Sequence, residues 1–215
     1  MNDAKLRFAR HIAWTSPAPA GLVVERAAGC RIWARPADAP PGSERDYLDL
    51  LAGIGVMNAG HSAPRVVAAI SAQAQRYLHT MVYGEHLQAP QIALAEAVAV
   101  RAGGPLSTLY FTSSGAEAIE GSIKLARKAT GRTKLVAAMG AYHGDTTGAL
   151  SLGGDAAHRR PFEPLLPGVE RIPFGAFDAF GAIDRDTALV VVEPIQAEAG
   201  VVAPPAGWLA ALRAR

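Results

Sequence analysis

Three short segments hold most of the residues whose types and spacing could do chemistry. The first is Thr112-Ser-Ser-Gly-Ala-Glu117, where an apolar run gives way to a helical pattern. The first backbone N–H groups of a helix lack partners and carry partial positive charge, so small residues there open an anion site. The dipole by itself contributes about 0.3–1 kcal/mol at an exposed site. An ordinary N-cap accounts for the same residues, because Ser114 followed by Glu117 is a capping-box pattern. Both readings stand at this point. The second segment is Gly140-Ala-Tyr-His-Gly-Asp145. Tyr142 could lay its ring on a planar ligand, and His143 could hydrogen-bond or simply pack. The third is Glu193-Pro-Ile-Gln-Ala-Glu-Ala-Gly200, with two carboxylates and an amide directly after an apolar run. A carboxylate held at such an edge is costly unless it is paired.

The elements around these segments put them in one place. Residues 1–20 read as an irregular arm. Leu22–Glu25 and Arg31–Ala34 flank Ala28-Gly29 and predict a hairpin, followed by a third short strand at Asp46–Leu51. Glycines 53, 55 and 60 then break the pattern, and a boundary falls near them. Helices are expected at 64–78, 90–101 and 115–130, the last ending at Gly131, a C-cap glycine. Strands are expected at 106–111, 134–139, within 168–173 and at 188–192. A short helix is expected at 177–183 and another from Pro204. The continuous apolar run 188–192 reads as the most buried strand of a parallel sheet covered on both faces. Strands alternating with helices imply right-handed crossovers and an α/β fold. Ligands of such sheets sit beyond the carboxyl ends of the strands, where all three segments fall. The expected organisation is an arm and small-domain β segment over 1–58 and a larger α/β domain over 59–215.

Composition narrows the class. Half of the 215 residues are hydrophobic and 19% are charged, which suits a globular core rather than a disordered chain. A net charge of +2 with scattered basic residues gives no nucleic-acid footprint. No apolar run approaches the length of a membrane span. The single cysteine, Cys30, rules out an internal disulfide and fits a reducing, cytoplasmic compartment. The glycine fingerprints of dinucleotide and Walker-type nucleotide sites are missing, which disfavours an α/β nucleotide-binding protein.

Taken together, Tyr110–Ala118, Lys124–Arg132, Ala141–Gly144, Pro164–Gly168 and Val192–Gly200 resemble the class III aminotransferases, pyridoxal-phosphate enzymes of fold type I. The resemblance runs from about Gly21 to Arg215. Tyr83-Gly-Glu and Gln88-Ala-Pro-Gln91 look most like the acetylornithine and ornithine aminotransferase branch. It implies a three-layer, mostly parallel sheet preceded by a small-domain β segment, and a homodimer. It also implies that pyridoxal 5'-phosphate would be held by the Gly115 and Ala116 amides with Ser114 nearby. Tyr142 would stack on the ring beside His143, Glu193 would arrange the groups around it, and Glu198 would be a gating glutamate. The substrates would be an amino acid and a 2-oxo acid, with neither nucleic acid nor membrane as partner.

Three departures qualify the resemblance. Ala197 stands where the family often has glycine, beside the gate. Gly60-His61-Ser-Ala63-Pro64 lacks one of the family's two histidines. Family members also continue into an aspartate at the ring nitrogen and the Schiff-base lysine. Lys124 and Lys128 read as a solvated helix face near Glu120, Lys134 sits at the amino end of a strand, and Lys5 lies in the arm. The chain therefore reads as the N-terminal half of such an enzyme, inactive alone. A non-catalytic binding or dimerisation module of the same fold is the competing expectation.

Overall fold

The computed structural model describes residues 4–15, 21–81 and 84–215. They fall into two compact units, Met1–Ala89 and Pro90–Arg215.

In the first unit, part of the expected irregular arm is a helix, α1 (Ala4–His11), whose last turn carries Arg10 and His11, a favourable place for cations. β1 (Leu22–Ala28), β2 (Arg31–Pro36) and β3 (Arg45–Leu48) form an antiparallel sheet in the order β1-β2-β3. The hairpin is longer than the sequence suggests, and Gly29 turns it at φ 55°. β3 stops earlier than expected: the Asp49 amide makes a last bond to the Cys30 carbonyl at 2.8 Å, and its side chain then turns the following residues out of the sheet. Its Oδ1 accepts from the amides of Leu51 (2.9 Å) and Ala52 (3.1 Å), and its Oδ2 meets His61 Nε2 at 2.6 Å. The next turn, α2 (Ala52–Gly55), is wound left-handed at Gly53 and Ile54, with φ of 61° and 57°. α3 (Pro64–Arg76) begins on a proline, whose missing N–H costs nothing in a first turn. Tyr83, quoted for the sequence resemblance, lies outside the described residues.

The second unit opens with α4 (Ala89–Ala102). The strand expected at 106–111 is absent. Its residues suit a strand, but a strand exists only by pairing, and no described strand lies beside it. Leu106 is 61% and Tyr110 84% exposed in consequence. α5 (Gly115–Thr130) follows, closed by Gly131 in the left-handed region at φ 67°. Then come β4 (Lys134–Ala138), α6 (Thr147–Leu152), α7 (Ala156–Arg159), β5 (Val169–Ile172), β6 (Thr187–Val191) and α8 (Trp208–Ala214). The sequence reading anticipated neither α6 nor α7. The segment at 177–183 is a short 3-10 turn over Asp178–Ala182.

β4, β5 and β6 form a parallel sheet in the order β5-β4-β6. The most buried strand is the central β4, not the 188–192 run. Leu135 to Ala138 are fully buried, whereas Ala188 to Val191 on β6 are half-buried. Alternate β4 side chains feed two cores, as strand geometry requires. Leu135 and Ala137 pack with Ile123 of α5 and Leu152 of α6. Val136 packs on the other face with Ile172 and Trp208 of α8. Trp208 meets Phe174 edge-on at 5.1 Å and donates its indole N–H to the Ala176 carbonyl at 3.2 Å. Burying each large apolar side chain this way contributes about 1.5–3 kcal/mol. The sheet is thus clamped between helices, and its carboxyl edge is presented as a rigid platform.

Candidate active site

At that edge three loops meet. Ser114 has extended backbone angles (φ −152°, ψ 162°) and its Oγ accepts from the Glu117 amide at 3.1 Å. Glu117 Oε2 accepts in turn from the Ser113 amide at 2.7 Å, and Thr112 Oγ1 donates to the Ser114 carbonyl at 3.0 Å. The N-cap reading of these hydroxyls is therefore realised. The amides of Gly115 and Ala116 remain without an acceptor among the described residues. They face an open cavity of about 870 Å³ that is also lined by Tyr142, His143 and Gly144.

Gly144 explains how the second loop comes so close. At φ 118°, a Cβ on this residue would stand 2.6 Å from Ala116 Cβ and 3.0 Å from Ala116 Cα. Only glycine lets this backbone lie against the first turn of α5. Tyr142 is 45% exposed, and its hydroxyl donates to Asp145 Oδ2 at 2.9 Å. That bond above all raises the phenol above its ordinary value, with burial and then the charges of Asp145 and Glu198 adding. Burial lowers the half-buried His143 below its ordinary value, and the Glu193 charge opposes the shift. Its Nε2 is buried and has no hydrogen-bond partner among the described residues.

The third loop is tied to the second by Glu193. Its Oε2 accepts from the Tyr142 amide at 3.2 Å and its Oε1 from the Ala197 amide at 3.3 Å. The costly carboxylate at the strand edge is thus paired with backbone donors. Gln196, 2% exposed, donates through Nε2 to the Met139 carbonyl at 2.8 Å and so bridges the ends of β4 and β6. Glu198 is exposed, and its charge reaches the Tyr142 phenol.

Residues 13–215 match the family Aminotransferase class-III. The chain belongs to that family. It is 44% identical over 188 residues to an acetylornithine aminotransferase of Methanopyrus kandleri, covering 86% of this chain and 46% of that one. The acetylornithine aminotransferase of Mycobacterium leprae is 46% identical over 169 residues, covering 78% of this chain and 41% of its own. Among solved structures, an (S)-enantioselective omega-transaminase from Thermomicrobium roseum superposes with a TM-score of 0.83 at 28% identity, over 98% of this chain and 53% of that one. The ornithine aminotransferase of Toxoplasma gondii gives 0.80 at 26%, over 97% and 49%, and is described with partial occupancy of PLP at its active site. The fold is accordingly the α/β fold of the fold type I transaminases, and pyridoxal phosphate is the cofactor of class III aminotransferases. This chain spans about half the length of the relatives it matches.

As a class III aminotransferase the chain shows two features that the sequence reading missed. Glu120, noted from the sequence only as lying near the exposed Lys124 and Lys128, has a structural role. It is half-buried, and its Oε1 accepts from Thr146 Oγ1 (2.7 Å) and the Gly148 amide (2.8 Å), which fixes the start of α6. Gly154 presses against the second loop, where a Cβ would fall 2.1 Å from the Gly140 nitrogen. Neither leaves a local signal, because each depends on a contact more than ten residues away.

Proposed function

We propose that this class III aminotransferase chain supplies the phosphate- and ring-binding part of an enzyme of the acetylornithine and ornithine type. That enzyme moves an amino group from such an amino acid, or another ω-amine, to a 2-oxo acid. The observation that carries the reading is the open cavity in which the acceptorless Gly115 and Ala116 amides face Tyr142 and His143. These residues fit pyridoxal 5'-phosphate: bare amides at a helix start for its phosphate, an exposed phenol ring for its pyridine, and an unpartnered imidazole nitrogen. Bound there, the cofactor supplies an electron sink for the amino acid's α-carbon.

The chain's own residues do the rest of the binding work. Gly115 and Ala116 donate to the phosphate, while Ser114 holds the turn as its cap. Tyr142 and His143 bound the ring. Glu193 acts by fixing the Tyr142 loop against the Ala197 loop, and Glu198 guards the rim as a gate. None of the four lysines of this chain is placed to anchor the cofactor covalently. Lys124 and Lys128 are exposed on α5. Lys134 is at the amino end of β4, bonded to Glu170 (2.7 Å) and Asp184 (2.9 Å). Lys5 belongs to the first unit. A cytoplasmic homodimer, divided near residue 58 into a small β segment and a cofactor domain, completes the reading. Leu50, Leu78, Leu87 and Val100 are each more than four-fifths exposed, apolar surface that such an assembly would cover.

Equilibrium dialysis of the purified chain against pyridoxal phosphate and against unphosphorylated pyridoxal tests this. The phosphorylated form is expected to bind well above the other, and borohydride treatment to leave no adduct on Lys5, Lys124, Lys128 or Lys134. Equal binding of the two compounds removes the phosphate cradle, and an adduct on one of those lysines overturns their exclusion as the anchor.

A further inference from the structure

At the carboxyl end of α6, outside the residues that line that cavity, two arginines converge on one oxygen. Arg159 Nη1 donates to the Gly153 carbonyl at 2.6 Å, and Arg171 Nε donates to the same carbonyl at 2.9 Å. Arg171 also donates through Nη2 to the Ser151 carbonyl. Both arginines are half-buried, and both line a separate cleft of about 520 Å³ with Ser151, Glu163 and Leu166. Among the described residues neither has a carboxylate within ion-pair distance, although Arg35, Lys134 and His61 all do.

The charge balance of this cleft is incomplete. The carbonyl end of even a long helix offers about half an elementary negative charge, against two full positive ones here. α6 is only six residues long. Glu163 lines the cleft without pairing with either arginine. Burial first, and then the neighbouring Arg159 charge, pulls Arg171 below its ordinary value. A guanidinium does not give up its proton in a protein, so that pull reads as charge without a counter-ion. Three of the planar groups' donors are spent on carbonyls, and the others have no side-chain acceptor among the described residues. Guanidinium edges match the oxygen spacing of carboxylate and phosphate.

We infer that the cleft between α7 and β5, lined by Arg159 and Arg171, binds a small oxyanion such as a phosphate or carboxylate group. The cleft uses none of the residues of the cofactor cavity, so the two assignments fail or survive independently.

The test reads each arginine separately in the intact chain. Phenylglyoxal modifies exposed arginines, and peptide mass spectrometry reports the rate at each one. Inorganic phosphate is titrated at constant ionic strength maintained with chloride, and malonate is the carboxylate probe in a second arm. Saturable protection of Arg159 and Arg171 is expected, about tenfold once phosphate reaches ten times its dissociation constant. Arg213, on α8, should be unaffected. Protection by phosphate alone assigns the cleft to phosphate groups, and protection by both probes assigns it to oxyanions in general. In Arg171→Met, checked for folding by circular dichroism, the protection at Arg159 should disappear, and in Gly115→Pro it should persist. Protection no better than that given by chloride overturns the inference, as does protection of Arg159 that survives Arg171→Met. Loss of protection in Gly115→Pro overturns it too, because that places the phosphate at α5.

Discussion

Replacing Gly115 by proline removes one proposed phosphate donor while leaving the fold intact. Gly115 is the first residue of α5, where proline is favoured and its fixed φ is already helical. The residue before a proline is pushed to extended angles, and Ser114 already has them at φ −152° and ψ 162°. Apart from its chain neighbours and the backbone of α5 itself, no atom lies within 4 Å of the place a Cβ would take. The amide deleted has no acceptor among the described residues, so the folded chain loses no hydrogen bond. Stability should be unchanged or higher by about 0.4–1 kcal/mol, from a stiffer unfolded chain. A hydrogen bond to a charged group contributes about 1.5–3 kcal/mol. Pyridoxal phosphate should therefore bind about ten- to a hundredfold more weakly to the variant. Pyridoxal without the phosphate should bind as before. Equilibrium dialysis gives the two affinities, and urea unfolding followed by circular dichroism gives the stability. Ser114→Ala is the companion variant: it should lower stability by about 1 kcal/mol through loss of the cap, yet change the affinity less than Gly115→Pro does. A folded Gly115→Pro chain that binds pyridoxal phosphate within twofold of the parent refutes the amide cradle.

Other consequences follow from the loops around the cavity and from the first unit. Gly144→Ala should destabilise the second unit by about 2–5 kcal/mol, from an unfavourable φ and an overpacked contact. Adding Ala116→Gly should restore part of that loss in a double-mutant unfolding cycle, because it removes the atom struck at 2.6 Å. Burial lowers His143, so the unfolded chain binds its proton first as the pH falls. Stability should be full above about 6.5 and decline as the pH drops toward the folded value. Glu193→Gln removes the opposing charge, and an NMR titration should find His143 lower still; a rise would contradict the assigned geometry. Asp49 is held low by His61 and then by the Leu51 and Ala52 amides. Its contribution is present above the ordinary carboxylate value and lost as the pH falls through the folded one. Acid unfolding of the first unit should lose part of its pH dependence in Asp49→Asn.

Much of the second unit was legible in order along the chain. Ser114, Glu117 and Gly131 mark both ends of α5 by local rules of capping, and the helix begins and ends where they place it. The apolar runs of β4 and β6 are likewise visible, because a parallel strand covered on both faces needs no alternation. The segment 106–111 shows the limit of such reading. Its composition is that of a strand, yet pairing is a property of two segments, and no described partner is present. The identity of the most buried strand was misread for a related reason: β4 and β6 look alike in sequence, and only the order β5-β4-β6 makes β4 central.

By itself the sequence determined the residue types at three loops, the capped start of α5 and the family to which the chain belongs. These are local signals, carried by side-chain chemistry within a few positions. The tertiary structure decided what those residues face. It spends the Ser114 hydroxyl on its own turn and leaves two amides open. It uses Glu193 to join loops 51 residues apart in sequence. Outside the lining of the cavity, it sets Arg159 and Arg171 on a single carbonyl. The Ser114 cap has a local signature, but the Glu193 and Arg171 contacts arise only when the fold brings distant segments together, and no local pattern of residues records them.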